Sequence, residues 1–228
     1  VNLFPEDMAL ARDEPTGLGT AMAGGKGKLN LAKTARNAFD YYPTPAEATR
    51  AFIIAERAAI LAHGAAIWEP CGRGGAIARV FDSAFVTFAS DIVADPANMV
   101  AQLDVLKARE ALAPIAITNP PFAIAEKIII HLLGRLKLRY LALLLKSTFW
   151  QTCSEDRGRM GLYREYRPSR RLDLNWRVDF TGGGASTMNV TWFIWDANAP
   201  ALPFIPAYLL DRTGIVEARP DLFTKGAK

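Results

Sequence analysis

The sequence predicts a single α/β domain in which a mostly parallel sheet is covered on both faces and finished by an antiparallel hairpin. Three observations lead there. Short apolar runs alternate with helical stretches between residues 65 and 146, as expected of strands buried on both faces. Gly-rich and Pro-rich turns follow the first and third of these runs, at the strand ends where open parallel sheets hold ligands. Beyond residue 171 two strand-like runs flank Gly182-Gly183-Gly184, which reads as the closing hairpin.

Taken in order, residues 1–36 are rich in Gly, Ala and Lys with weak periodicity and read as a flexible N-terminal arm. Residues 37–228 then form one domain with a basic insert at about 147–171. Pro43-Thr44-Pro45 opens a helix, with Thr44 as N-cap, Pro45 at the first helical position and Glu47 in the first turn. That helix covers residues 46–61 and closes near His63-Gly64. Strands are expected at 65–68, 85–89, 112–118 and 140–146, helices at 75–81 and 124–136, and a helical turn at 97–100. The hairpin pairs 172–180 with 188–195.

At 228 residues, half of them hydrophobic, the chain can bury a full core. Its longest apolar stretches are interrupted by charges and too short for a bilayer, so no membrane partner is expected. Cys71 and Cys153 have no metal-type spacing, and His63 and His131 lack sequence partners, so no metal is expected either. No secretion-leader pattern opens the sequence, and a reduced, cytoplasmic setting follows.

The net charge of +4 is unevenly placed: residues 135–177 carry 11 Lys/Arg against 4 Asp/Glu. A solvated face is one reading, and a surface for a polyanion is the other. Within this segment lie Arg157, Arg159, Arg164, Arg167, Arg170 and Arg171, interleaved with Tyr163 and Tyr166. Arginines supply phosphate and base-edge contacts and tyrosines can stack, so these six are the candidate nucleic-acid-binding residues. The competing reading is an Arg-rich helix with Leu162 and Tyr166 packed inward.

Asn119-Pro120-Pro121-Phe122 is the most informative tetrapeptide. Two prolines remove two backbone donors and force an extended corner after the strand. The corner offers an amide side chain, the free carbonyl of Pro120 and an aromatic face. Such a set grips a planar, NH2-bearing group, two oxygens taking its hydrogens while a ring stacks on its face. A strand terminator followed by a core Phe is the alternative.

The turn Glu69-Pro70-Cys71-Gly72-Arg73-Gly74-Gly75 follows the first strand, where glycines admit a ligand close to the backbone. Asp91 ends the second strand, 22 residues after Glu69, where a carboxylate can accept both ribose hydroxyls. Asp104 precedes the third strand, placed to accept from an adenine amino group. Alone, each reads rather as a helix cap or surface residue, and it is their order and spacing relative to the glycine turn and the corner that point to a site; no Gly-Lys-Ser/Thr phosphate loop is present, so a nucleoside cofactor is indicated.

These motifs, over roughly residues 38–196, resemble the S-adenosylmethionine-dependent N6-adenine (amino) methyltransferases of bacteria and phage, with the gamma group's motif order. The resemblance implies a Rossmann-like methyltransferase fold with a seven-stranded, mostly parallel sheet and an antiparallel terminal hairpin. It implies S-adenosyl-L-methionine as cofactor, held by Tyr42, Thr44, Pro45, Glu69, Cys71, Gly72, Gly74, Asp91, Ile92, Asp104 and Val105. Catalysis falls to Asn119, Pro120, Pro121 and Phe122, acting on adenine N6 in DNA. RNA adenine, a protein glutamine amide, or an inactive nucleic-acid-binding relative remain as alternatives. Two departures stand out. The loop's glycine spacing is irregular, with Gly72 one position early or Arg73 in a glycine's place. A separate target-recognition domain is also missing, which leaves 147–171 and 197–228 for recognition.

Overall fold

The computed structural model describes residues 42–152, 159–184, 188–200 and 202–216. The arm expected at 1–36, Cys153 and Arg157 lie outside them. Among the described residues are three α-helices: α1 (Ala46–His63), α2 (Ala125–Ile129) and α3 (Arg159–Glu165). Nine strands build one sheet: β1 (Ala66–Pro70), β2 (Val86–Asp91), β3 (Val100–Gln102), β4 (Ile115–Thr118), β5 (Tyr140–Lys146), β6 (Arg170–Leu174), β7 (Val190–Asp196), β8 (Ala207–Asp211) and β9 (Gly214–Ile215). Their spatial order is β3-β2-β1-β4-β5-β7-β6-β8-β9.

The β3–β2–β1–β4–β5 part is parallel throughout. β7 inserts antiparallel between β5 and β6, and β8 and β9 extend the sheet beyond β6. Strand order reverses between β1 and β4, and the crevice above such a reversal is where doubly wound sheets bind ligands.

Alternation along the central strands explains why both faces are covered. Ile67, Ile115, Ile117, Tyr140, Ala142, Leu144, Trp192 and Ile194 face one buried layer with Phe52 and Ile60 of α1. Trp68, Ala116, Leu141, Leu143, Leu145, Phe193 and Trp195 face the other, with Ile128, Ile129 and Leu132. With both faces dry, β4 reads as an unbroken apolar run and every one of its residues is buried. Phe52 stacks on Trp192 at 4.4 Å between ring centres, fastening α1 across the sheet.

Several sequence expectations need correction. Among the described residues the sheet has nine strands, not the seven implied by resemblance: β8 and β9 lie in the stretch after the hairpin. The expected helix at 75–81 is two 3-10 turns, Arg73–Gly75 and Ala78–Val80. The Glu69 carboxylate takes the N–H groups of Ile77 and Ala78 at 3.1 and 2.7 Å, so side chain displaces helix at that point. The helix at 124–136 divides into α2 and a π-helical turn, Ile130–Arg135, closed by Leu136 N donating to His131 O at 2.9 Å. Helix α1 starts at Ala46 as expected and runs on to His63, but its N-cap is Pro45 rather than Thr44, with no side-chain capping bond. Residues 97–100 split into a 3-10 turn, Pro96–Asn98, and the start of β3. The hairpin's first strand ends at Leu174, and a long connection carrying the Val178–Met188 bridge leads to β7.

Candidate active site

One cavity of about 810 Å³ opens at the carboxyl edge of the sheet, a size typical of small-molecule sites. Four strand ends build it: the turn after β1, Asp91 and Ile92 after β2, Leu103, Asp104 and Val105 after β3, and the proline corner after β4. Tyr42, Pro43 and Thr44 close it from before α1.

The turn after β1 is held from within. Cys71 adopts φ 64°, Gly74 φ 73° and Gly75 φ 59°, a left-handed path that suits glycine. The Gly72 N–H donates to Ser90 O at 2.8 Å, pinning the turn to β2. A Cβ on Gly72 would lie 2.7 Å from both the Glu69 carbonyl oxygen and Cγ. Gly72→Ala therefore forces this turn apart; overpacking of this kind costs about 1–3 kcal/mol, seen as a lower midpoint in thermal unfolding.

Glu69 is 3% exposed, and its carboxyl is pushed up to about 7. Burial is the main cause, partly offset by the Ala78 and Ile77 N–H groups and by Arg79, with Asp91 adding a small rise. The folded value exceeds the unfolded one, so Glu69's contribution to stability is full below about 4.5 and disappears as pH rises through about 7. At about 1.4 kcal/mol per pH unit, the loss is on the order of 3 kcal/mol. Urea unfolding of the wild type should weaken across that window, and Glu69→Gln should flatten the profile there.

Asp91 accepts from Val93 N at 3.0 Å and from Arg73 N at 3.3 Å, which orients its carboxylate beside the turn. Asp104 accepts from Leu106 N at 3.0 Å and caps the next turn while lining the cavity. Around Cys71 the charges accumulate: its thiol is pushed up to about 12 by burial first and then by Asp91, Asp104 and Glu69. The thiol stays protonated and is no nucleophile. Three carboxylates converging on one half-buried point favour a cationic ligand.

At the corner, Thr118 Oγ1 donates to Pro70 O, tying the end of β4 to the end of β1. Asn119 sits just beyond, half-buried, and its Nδ2 donates to Tyr42 O at 3.4 Å, which leaves Oδ1 as the acceptor end. Phe122 lies partly against both hydrophobic layers. Lys146, at the end of β5, holds its Nζ 5.5 Å from the centre of the Phe122 ring.

Of the residues singled out in sequence, Tyr42, Thr44, Glu69, Cys71, Asp91, Ile92, Asp104, Val105 and all four of the corner line this one cavity. Pro45, Gly72 and Gly74 do not line it; they shape its walls. The described arginines, Arg159, Arg164, Arg167, Arg170 and Arg171, do not all reach this cavity. Arg159 reaches the cavity, where it pairs with Glu126, donates to Phe149 O at 2.9 Å and stacks over the Phe149 ring. Arg164 is exposed on α3. Arg167 instead donates to the Leu202 and Pro203 carbonyls.

Arg170 and Arg171 begin β6 at the opposite edge of the sheet from the cavity. The Arg170 guanidinium is spent on Glu56 and Asp196, and Arg171 pairs with Asp173 at 3.2 Å. Among the described residues, then, Arg159 is the candidate arginine that lines the cavity, while Arg167, Arg170 and Arg171 make the contacts just named.

The structure also adds residues that sequence reasoning passed over: Lys146 at the end of β5, Thr148 and Phe149 after it, and Val178, Phe180, Thr181 and Met188 in the β6–β7 connection. Their common signal is position after a strand that ends at the same edge. Asp179 shapes that connection by accepting from Thr181, Gly182 and Gly184. Trp150 packs edge-on against Phe149 and Tyr163. Among the described residues no cluster of three His, Cys, Asp or Glu could hold a metal, and no helix is long and apolar enough to cross a membrane.

No family model and no curated protein matches this sequence. Solved structures match at the level of architecture. A provisionally assigned RNA methyltransferase from Pyrococcus horikoshii aligns with a TM-score of 0.50 at 12% identity, over 69% of this chain and 87% of its own. A type I restriction-modification methyltransferase subunit from Streptococcus thermophilus aligns at 0.49 and 13% identity, over 75% of this chain and 47% of that one, so this chain spans about half its length. A provisionally assigned class I S-adenosylmethionine-dependent methyltransferase from Listeria monocytogenes aligns at 0.49 and 11% identity, over 73% and 65%. The first of these likenesses, with the strand order above, gives the architecture: this chain has the α/β Rossmann-like methyltransferase fold, a mostly parallel sheet finished by antiparallel C-terminal strands.

Proposed function

We propose that this chain is an S-adenosylmethionine-dependent methyltransferase that methylates the exocyclic N6 of adenine in DNA. The observation that carries the reading is a shared cavity: Asn119 and Pro120 open into the same space as Glu69, Asp91 and Asp104. The three carboxylates around Cys71 fit a cofactor that bears an ammonium and a sulfonium. Asp91 would hold the ribose, Asp104 the adenine amino group with Val105 and Ile92 against the ring, and Glu69 the ammonium end near Tyr42 and Thr44.

When bound, S-adenosylmethionine supplies an electrophilic methyl on sulfur. The chain's own residues would prepare the amine. An exocyclic adenine amine is a weak nucleophile because its lone pair is delocalised into the ring. Asn119 Oδ1 and the Pro120 carbonyl accept its two hydrogens and localise that pair. The methyl would pass to that lone pair with the S–CH3 bonding electrons left on sulfur, and the surplus proton would leave nitrogen afterwards. Neutral acceptors suffice, so the gain lies in alignment and preorganised dipoles. Phe122 would stack on a base taken out of the helix.

The test is incubation of the full chain with labelled methyl donor against duplex DNA, total RNA and cell-extract protein, followed by nucleoside and amino-acid analysis. Label in N6-methyladenine from DNA supports the reading. Label in RNA adenine or in glutamine moves the substrate while keeping the chemistry. No label anywhere, with no heat on titration of the donor, overturns it in favour of a nucleic-acid-binding relative without activity.

A further inference from the structure

Charged groups of both signs line the cavity: Glu69, Asp91, Asp104 and Arg73 at the ends of β1–β3, Lys146 and Arg159 on the side of the corner and β5, and Asp179 in the β6–β7 connection. Arg159 is paired with Glu126. Lys146 differs: its strand position is exposed, and among the described residues its ammonium meets no carboxylate. Its neighbour is the Phe122 ring, at 5.5 Å. Phe122 packs partly against the hydrophobic layers on both sides of the sheet, and the ring and the ammonium over it line the same cavity.

A lysine over that face stands where an incoming flat ring must go. A cation–π contact in a solvent-reached cavity is weak and readily exchanged. An arriving nucleotide carries both items of the exchange: a base to take the ring and a phosphate to take the ammonium. We infer that Lys146 is a specificity-determining residue of the target side, which leaves the Phe122 ring as the target base stacks and pairs with the phosphate of the same nucleotide. This deepens the adenine reading of the site and rests on it. The substrate class it names is a phosphate-bearing nucleotide unit, as opposed to a protein amide, which brings no anion to the same place.

Ligand-observed NMR titration of the full chain tests this, with S-adenosylhomocysteine saturating the cofactor side so that nucleosides report on the target side. The probes are adenosine and adenosine 5′-monophosphate, with their 2′-deoxy counterparts in parallel so that sugar preference separates RNA from DNA. The wild type should favour monophosphate over nucleoside by about tenfold, as for a hydrogen bond to a charged group. Lys146→Met, which keeps the apolar stem, should bring the two within about twofold while binding adenosine at least as well as the wild type. Lys146→Arg should restore the preference.

Equal binding of monophosphate and nucleoside by the wild type, or a preference that survives Lys146→Met, overturns the assignment of Lys146 and leaves the adenine reading standing. Absence of binding by every probe overturns the adenine reading itself, and this inference with it.

Discussion

Replacing Asn119 with Ala should abolish methyl transfer while leaving cofactor binding within a few-fold. Removal of one preorganised group that meets a transition state costs about a hundredfold to a thousandfold in kcat. Here the group also selects the amine's geometry, so the larger figure is expected. The separation of effects follows from position. Asn119 stands at the end of β4 with its Nδ2 turned to Tyr42 O at 3.4 Å, whereas the carboxylates that suit the cofactor come from β1, from β2 and from the turn after β3. Single-turnover assays with labelled donor measure the first effect, and calorimetry with S-adenosylhomocysteine the second. Asn119→Asp keeps an acceptor and should retain more activity than Asn119→Ala. Equal loss of transfer and of cofactor binding would mean that Asn119 serves the fold.

The second large effect lies at the far edge of the sheet. Arg170→Ala should destabilise the protein by about 3–5 kcal/mol, the usual cost of breaking a buried ion pair by removing one partner. Arg170 donates to Glu56 Oε1 at 2.8 Å and to Asp196 Oδ2 at 3.0 Å, and Glu56 is 4% exposed. Tyr140 donates to Glu56 at 2.8 Å, and His63 Nε2 meets Asp196 at 2.8 Å. Burial, with the Glu56 charge second, keeps the Tyr140 phenol protonated and donating. Without the guanidinium, two carboxylates remain with too few donors. Urea unfolding should show the midpoint fall with an unchanged slope. Methyl transfer by the folded fraction should persist, because this network and the cavity occupy opposite edges. A loss of nucleic-acid binding larger than the loss of stability would restore Arg170 to the recognition role first read from its sequence.

The two predictions mark how far the chain could be read before folding. Periodicity identifies the parallel strands because β1, β4 and β5 are dry on both faces, and a dry strand must be apolar throughout. The corner and the glycine turn are legible for a similar reason: proline and glycine restrict or free the backbone locally, wherever they stand. The helix expected after the glycine turn is not legible, since the local pattern does permit it. It is lost because the Glu69 carboxylate, reaching eight and nine residues ahead, takes the N–H groups of Ile77 and Ala78.

The arginines show the limit of local reading. They look alike in a short stretch of sequence, yet the described ones divide among the cavity (Arg159), an exposed helix (Arg164), loop carbonyls (Arg167), a neighbouring acid (Arg171) and a buried network with Glu56, 114 residues away from Arg170 in the chain. Charge density along a chain says how many cations a segment holds. Which of them meet solvent depends on what distant acids fold against them.

By itself, then, the sequence determined the fold class and the ordered set of chemical groups: apolar runs, a flexible turn, a stiff corner and acids between them, all properties of short stretches of backbone. Only the tertiary structure decided that strand ends far apart in sequence share one cavity, that Lys146 covers the Phe122 ring, and that Arg170 faces inward. Those facts arise from pairing between distant segments, and non-local contacts leave no periodic trace along the chain.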